Sequence, residues 1–183
     1  MNKLKLKKNI KLISNRIILR PLNIYDDIKR YYSWLKDPSI TEFLEVRHLH
    51  MSKNKIIDFI HNQYNSPNNI LFGIFVKDTN EHIGNIKIGP INFTYLRTEL
   101  GIIIGEKNYW KKGFASEAIN MIEEYCFNNL KLNRITASIC SPNIASIQTF
   151  KKCNYKVEGI LKKFWIINHK FADEIIMAKY NEK

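Results

Sequence analysis

The chain has 183 residues, 45% of them hydrophobic and 25% charged, with a formal net charge of +12 at pH 7. This composition is typical of one folded domain and excludes a disordered chain. No apolar run of about 18 residues is present to span a bilayer. The charge indicates an anionic partner, such as nucleic acid or a polyphosphate cofactor, or else lysines scattered over a solvated surface. Three cysteines without the spacing of a disulfide framework or a zinc site favour a reduced, cytoplasmic protein.

The N-terminal segment is basic and leads into a strand. Residues 1–13 alternate lysine with leucine or isoleucine, which is typical of a mobile tail or of a short edge strand. Residues 16–20 are an apolar run flanked by arginines and ended by Pro21, which cannot donate to a sheet, so they predict a strand. We divide the chain into a basic tail, residues 1–13, and one domain, residues 14–183.

Three helices are predicted next. Asn23 is a candidate N-cap, and apolar side chains recur at helical spacing over residues 24–35. A second, short helix is predicted over residues 40–44. Ser52 opens a third, amphipathic helix that ends at a Ser-Pro-Asn-Asn turn.

The rest of the chain alternates strand and helix patterns. Apolar residues at helical spacing predict one helix after Gly113 and a shorter one capped by Asn143. The run from Ile102 to Ile104 predicts a central strand covered on both faces. The predicted strands cover residues 71–77, 82–89, 99–105, 134–140, 157–167 and 172–179. The order of elements therefore defines a single α/β domain.

A basic turn between a strand and a helix is the clearest candidate for a binding site. Its consecutive N–H groups can surround a pyrophosphate, the glycine lets the backbone come close, and the lysines add positive charge. The turn contains Lys111, Lys112, Gly113, Phe114, Ala115 and Ser116. The patterns G-x-x-x-x-G-K-[ST] and G-x-G-x-x-G are both missing. The turn thus predicts an anion site that is neither a P-loop nor a dinucleotide fingerprint.

Four segments in this order resemble the GNAT superfamily of acetyl-CoA-dependent N-acetyltransferases, and most closely its RimJ/RimL branch. They are residues 16–22, residues 99–118, residues 143–155, and Glu158-Gly159 with Asp173. The resemblance implies the GNAT fold: a mixed, mostly antiparallel sheet of about six or seven strands with helices on both faces. It also implies that the central strands splay apart to admit acetyl-CoA.

The resemblance implies roles for the cofactor-binding residues. The turn amides would bind the CoA pyrophosphate, and the pantetheine arm would lie between strands 99–105 and 134–140, beside Ile102, Ile103 and Ile104. Asn143 would hydrogen-bond this arm, and Lys152 would lie near the ADP phosphates. The residues alone also allow Asn143 to be only a helix cap and Lys152 only a solvated lysine at a helix end.

Attack of an amine on a thioester requires removal of a proton from the amine and protonation of the thiolate that leaves. Glu99 is the candidate base, since the resemblance places an acid there, and a structural ion pair is its alternative role. Many family members have a tyrosine as general acid where this chain has Phe150. Ser146 is therefore the candidate that protonates the thiolate, although an ordinary structural serine is the alternative. A backbone N–H of the central strand would serve the oxyanion.

The acceptor pocket is expected between the first helices and the last strands. The polar or aromatic residues there without an obvious core role are Trp34, Glu45, Arg47, His48, Lys163 and Trp165. The sequence thus predicts a cytoplasmic enzyme that acetylates a protein N-terminus or a small amine such as an aminosugar, with acetyl-CoA as co-substrate and no metal. A homodimer is compatible with the sequence, which leaves the oligomeric state open.

The basic composition also allows a different class of function. The basic surface, including Lys3 to Lys11, also suits a non-catalytic module that binds RNA or the ribosome. That module would bind RNA with a steep salt dependence and would release no thiol. If the chain is an enzyme, neither nucleic acid nor a membrane is expected as a partner.

Overall fold

Eight strands form one sheet in the computed structural model, which describes residues 10–182. They are β1 (Leu12–Ile13), β2 (Ile17–Pro21), β3 (Ile70–Val76), β4 (His82–Ile88), β5 (Arg97–Ile104), β6 (Arg134–Cys140), β7 (Lys156–Ile167) and β8 (Lys170–Tyr180). Their order across the sheet is β1-β2-β3-β4-β5-β6-β8-β7. Neighbours are antiparallel except β5 and β6, which are parallel. The predicted mixed, mostly antiparallel sheet is confirmed.

The sheet has eight strands, one more than the upper end of the expected six or seven, and the additional strand is β1. Leu12 pairs with Leu19 and Ile13 pairs with Ile18, so this part of the basic segment is an edge strand. An edge strand is one of the two alternatives that the sequence left open for residues 1–13, and it holds for Leu12 and Ile13. Residues 1–9, where the rest of the predicted tail falls, lie outside the described residues.

Helices cover both faces of the sheet. They are α1 (Ile28–Lys36), α2 (Pro38–Thr41), α3 (Lys53–Asn65), α4 (Phe114–Glu124) and α5 (Ile144–Lys152), with 3-10 helices at Glu45–His48 and Lys107–Tyr109 and a π-helical turn at Tyr125–Asn129. The predicted caps Ser52 and Asn143 are confirmed, because their side chains accept hydrogen bonds from the N–H groups of Lys55 and Ser146.

The predicted cap at Asn23 is wrong. The Asn23 side chain accepts a hydrogen bond from Tyr25 N–H at 2.8 Å, which closes a local turn instead of starting a helix. The helix begins later, where the Asp27 side chain accepts from Arg30 N–H at 3.0 Å. Asparagine and aspartate serve turns and caps equally well, so the sequence could not choose between these positions.

The predicted helix over residues 40–44 is also displaced. Asp37 caps α2 by accepting from Ser39 N–H at 3.0 Å, and Pro38 occupies the first helical position, where a missing N–H is tolerated. The chain then leaves the α conformation at Leu44 and forms the 3-10 helix Glu45–His48.

Two hydrophobic clusters lie on opposite faces of the sheet. The larger cluster fills the face covered by α4 and α5, here called the α4 face, and includes Ile86, Ile122 and Phe150. The smaller one fills the face covered by α1 and α3, here called the α1 face, and includes Ile56 and Phe75. Burial of this apolar surface drives the layers together.

The central strands β5 and β6 are paired over only part of their length. The register runs from Arg97 opposite Arg134 to Glu99 opposite Thr136 and then stops. Beyond this point β5 stays paired with β4, and β6 stays paired with β8 as far as Cys140. The sheet is therefore split along the line between β5 and β6, which confirms the expected splay.

Candidate active site

The split is lined by backbone groups of β5. Gly89 N–H donates to the Glu99 carbonyl at 2.9 Å, so the backbone of Glu99 faces β4. Alternate residues of an antiparallel strand face the same neighbour. The backbone of Ile103 therefore pairs with β4, whereas Ile102 and Ile104 direct their backbone groups into the split.

The face of β5 at Gly101, next to the split, is open. A Cβ built on Gly101 would have no heavy atom within 4 Å. The side chains of residues 102–104 are half-buried, although the sequence predicted a strand covered on both faces. Residues 102–104 lie beyond the point where β5 stops pairing with β6, so the split leaves them without a paired neighbour on that edge.

The turn before α4 has the conformation that an anion site requires. Gly113 is the N-cap at φ 82° and ψ 3°, and Lys111 also has a positive φ of 58°. The first hydrogen bond of α4 runs from Glu117 N–H to the Gly113 carbonyl at 3.0 Å. The N–H groups of residues 114–116 consequently have no acceptor within the helix and lie at its positive end. Such donors bind phosphate well.

Arg16 holds this turn from the side of β2. Its guanidinium donates to the Lys112 carbonyl at 3.0 Å and to the Glu117 carboxylate at 2.6 Å, and it lies 4.3 Å from the centre of the Phe114 ring. The C=O and N–H of a planar trans peptide point in opposite directions. By fixing the Lys112 carbonyl, Arg16 therefore orients the N–H of Gly113 to the other side of the loop.

The helix α5 lies next to the turn. The Cys153 thiol at its C-terminal end donates to the Ser116 carbonyl at 3.7 Å, and Lys152 is the exposed residue just before it. At its other end, Asn143 Oδ1 accepts from Ser146 N–H at 3.1 Å. This cap uses only the oxygen of Asn143, so its amide hydrogens remain as donors. Ser146 is half-buried in the first turn, directly after β6.

Glu99 lies on the α1 face, where a row of side chains crosses the split. Leu100 belongs to the cluster on the α4 face, so its neighbour Glu99 points to the other face. Paired residues of neighbouring strands share a face. Glu99 pairs with Thr136, so Thr136 is also on the α1 face, and so is Cys140, four residues further along β6. Cys140 pairs with Glu174, which therefore lies on the same face. We call this row the acceptor face.

Glu174 is the most buried carboxylate of the acceptor face, with 6% of its surface exposed. Burial raises the pKa of Glu174, and the negative charges of Glu99 and Glu45 raise it further. Burial likewise raises the pKa of the Cys140 thiol. A raised pKa in the folded state means that ionisation of Glu174 lowers stability as the pH rises through that pKa.

Of the predicted substrate-binding residues, Arg47 and Trp165 lie together and His48 is exposed beside them. Arg47 donates to the Ile166 carbonyl at 2.9 Å and lies 5.8 Å from the Trp165 ring centre. This links the 3-10 helix Glu45–His48 to β7. Arg47 also lines a cavity of about 550 Å³ between α1–α2 and the β7–β8 turn.

Trp34, another predicted substrate-binding residue, lies in the protein core and not beside Arg47 and Trp165. It is 3% exposed and belongs to the cluster on the α1 face. Its Nε1 donates to Glu106 at 2.9 Å, and its ring lies edge-on to His82 at 4.9 Å. A Cβ on Gly105 would overlap the Trp34 ring, so glycine is needed there for the ring to fit.

Two sequence expectations on metals and membranes can be compared with the described residues. Within residues 10–182, no group of three or more His, Cys, Asp or Glu side chains is arranged to hold a metal ion. Over the same range, none of the helices has the length and apolarity needed to cross a bilayer. Cys126, Cys140 and Cys153 are free and buried.

The site fits acetyl-CoA in two respects. The Ile104 carbonyl accepts from Trp110 Nε1 at 2.8 Å. The backbone groups of Ile102 and the N–H of Ile104 that face the split suit an extended arm carrying amides, and the left-handed turn with helix N–H groups suits a pyrophosphate. A split sheet with an anion-binding helix end beside it defines the acyl-CoA-binding class of α/β proteins to which the sequence resemblance pointed.

Comparison with known proteins supports the same class. Residues 16–156 match the family model described as an acetyltransferase (GNAT) domain. The "Uncharacterized N-acetyltransferase p20" of Bacillus licheniformis is 31% identical over 156 residues, which cover 84% of this chain and 86% of that protein. The chain belongs to the GNAT family, and it is an acetyl-CoA-dependent N-acetyltransferase.

Two solved structures share the fold. Spermidine N-acetyltransferase from Vibrio cholerae, in complex with CoA and spermine, has a TM-score of 0.83 at 22% identity, over 93% of this chain and 98% of that one. A provisionally named ribosomal-protein-serine acetyltransferase from Vibrio cholerae has a TM-score of 0.76 at 17% identity, over 96% and 100% of the two chains.

The sequence did not identify Glu174 or Arg16 as residues of the site. Glu174 is followed by three apolar residues, Ile175, Ile176 and Met177. Because apolar and polar residues do not alternate there, the sequence did not show which face of the strand is buried or on which face Glu174 lies. Arg16 was recognised only as the start of a strand. Its contact with Lys112 joins residues 96 positions apart, which no local pattern contains.

Proposed function

We propose that this enzyme transfers acetyl from acetyl-CoA to a primary amine by direct attack, with both substrates bound at the split between β5 and β6. The observation that carries the proposal is the end of β5–β6 pairing at Glu99 and Thr136. One opening in the sheet thereby exposes the β5 backbone next to a carboxylate. Both substrates can then be bound at once, and acetyl can pass directly to the amine without forming a covalent intermediate with the enzyme.

The reaction needs three contributions from the chain. The amine nitrogen forms a bond to the acetyl carbon while the bond from that carbon to sulfur breaks. Glu99 takes the proton that the amine loses, and the thiolate that leaves takes a proton from Ser146 or from water. The N–H of Ile102 or Ile104 is directed into the split and can donate to the carbonyl oxygen as its negative charge grows.

The turn and α5 position acetyl-CoA in this proposal. The amides of residues 111–116 bind the pyrophosphate, with Lys111 and Lys112 adding positive charge. The Asn143 amide donates to the pantetheine arm, and Lys152 lies near the ADP phosphates. Arg16 is a positioning residue, because it touches the loop and orients the N–H of Gly113.

The acceptor is a small amine or a protein N-terminus. The fold shared with spermidine N-acetyltransferase supports the first alternative. Likeness to the RimJ/RimL branch, and the fold shared with the provisionally named ribosomal-protein-serine acetyltransferase, support the second. Trp165, Arg47 and His48 line the approach in either case, and the reaction takes place in the cytoplasm.

Glu99→Gln tests the role of the base. We expect kcat to fall about 10²- to 10⁴-fold, the usual contribution of general acid–base catalysis, while the KM for acetyl-CoA stays the same. The measurement is thiol release from acetyl-CoA with aminosugars, polyamines, amino acids and short peptides over a range of pH. Glu124→Gln, an exposed position on α4, is the matched control for the lost charge. Equal rates for Glu99→Gln and wild type at every pH would remove Glu99 from the mechanism.

A further inference from the structure

The described part of the chain contains two buried carboxylates, of which one has a cationic partner and the other has none. Glu123 is 5% exposed and pairs with Lys179 Nζ at 2.5 Å. Glu174 is 6% exposed, and within residues 10–182 it has neither a hydrogen bond nor an ion pair. A buried carboxylate without a partner is costly, because desolvation is not offset by any attraction. Such a group is therefore a candidate for binding a ligand.

The surroundings of Glu174 increase this cost. Glu174 lies on the same face of the sheet as Glu99, and the negative charges of Glu99 and of Glu45 in the 3-10 helix both raise its pKa. The cation in this region, Arg47, uses its guanidinium to bind the carbonyls of Glu42, Leu44 and Ile166. Negative charge is thus concentrated here on a protein whose net charge is +12.

An apolar surface lies next to the carboxylates. Trp165 pairs with Ala172, two residues before Glu174 on β8, so its ring lies on the same face. The indole Nε1 of Trp165 is buried and has no hydrogen-bond partner in the described structure. A flat aromatic ring beside unpaired carboxylates is complementary to a methylene chain that ends in an ammonium group.

We propose that Glu174, together with Glu45, binds a second cationic group of the acceptor, so that the preferred acceptor is an aliphatic diamine or polyamine. This inference rests on the proposed function, since it names the acceptor class of the same site. One amine is acetylated at Glu99 while the other ammonium group lies near Glu174. A monoamine of equal length leaves the charge of Glu174 uncompensated.

The test compares diaminobutane with butylamine, which has the same carbon chain and one charge fewer. We expect wild type to have at least a tenfold higher kcat/KM for the diamine, about the contribution of one hydrogen bond to a charged group. Glu174→Gln should reduce this preference about tenfold without changing the KM for acetyl-CoA, and Glu174→Asp should restore part of it. Glu124→Gln should keep the full preference.

A binding measurement makes the test independent of turnover. With CoA present, diaminobutane should raise the Tm of wild type more than butylamine does, and Glu174→Gln should remove the difference. Equal kcat/KM values for the two amines, or a preference unchanged in Glu174→Gln, would overturn the acceptor assignment. So would acetylation of a neutral-chain peptide N-terminus at a higher kcat/KM than the diamine. Absence of thiol release with every amine would instead overturn the proposed function, and the Tm comparison would then decide the acceptor class.

Discussion

Gly113→Val should abolish the stabilisation of this protein by acetyl-CoA. Gly113 has a φ of 82°, which an L-residue with a β-branched side chain rarely adopts. Valine would rotate this residue out of the left-handed region and turn the loop amides away from the pyrophosphate. For wild type, ligand at a hundred times its Kd adds about 2.7 kcal/mol of stability. Thermal unfolding with and without acetyl-CoA should show a shift in wild type and none in the variant.

A glycine with an ordinary backbone conformation controls for the added side chain alone. Gly159 in β7 has no heavy atom within 4 Å of an added Cβ, so Gly159→Val should keep the full Tm shift. The Cβ of residue 113 would lie 3.5 Å from an Arg16 nitrogen, an ordinary contact, and the loss therefore comes from the backbone. A normal acetyl-CoA shift in Gly113→Val would show that the loop does not bind the pyrophosphate.

Trp34→Ala should lower the free energy of unfolding by about 3–5 kcal/mol, the usual cost of removing a buried aromatic side chain. Trp34 is 3% exposed and packs on Gly105, and the truncation would also remove its hydrogen bond to Glu106. Urea unfolding would measure the loss. The sequence suggested a substrate-binding role for Trp34, whereas its position in the cluster on the α1 face supports a structural one.

The conservative and exposed variants separate these two roles. Trp34→Phe keeps much of the packing and should recover most of the stability together with an unchanged acceptor KM. Trp110→Ala, at a position 38% exposed, should lose far less than Trp34→Ala. A stable Trp34→Ala with a strongly raised acceptor KM would instead support substrate binding.

Local patterns were sufficient to predict most of the fold. The strand at residues 134–140 was predicted with the observed bounds, because apolar residues alternate with polar ones along it, the pattern of a strand with one buried face. Asn154 has the left-handed φ of 66° that its position after α5 indicated. The turn around Gly113 was recognisable for the same reason, since it is a local conformation between a strand and a helix.

Features that depend on distant contacts could not be predicted. The short pairing of β5 with β6 was expected only through the family resemblance, because no residue of either strand marks where pairing stops. Trp34 resembled a pocket residue in the sequence, and its burial is decided by Gly105 and Glu106 far along the chain. Glu174 became a candidate only when pairing placed it on the same face as Glu99.

Hydrogen–deuterium exchange with and without acetyl-CoA tests most directly whether the split and the turn form one binding site. The amides of Ile102, Ile104 and residues 113–116 have no partner within their own strand pair or helix, so they should exchange quickly in the free protein. Bound acetyl-CoA should slow exchange in both segments together and leave α3 unchanged. Protection confined to other segments, or none in either of these two, would contradict the account.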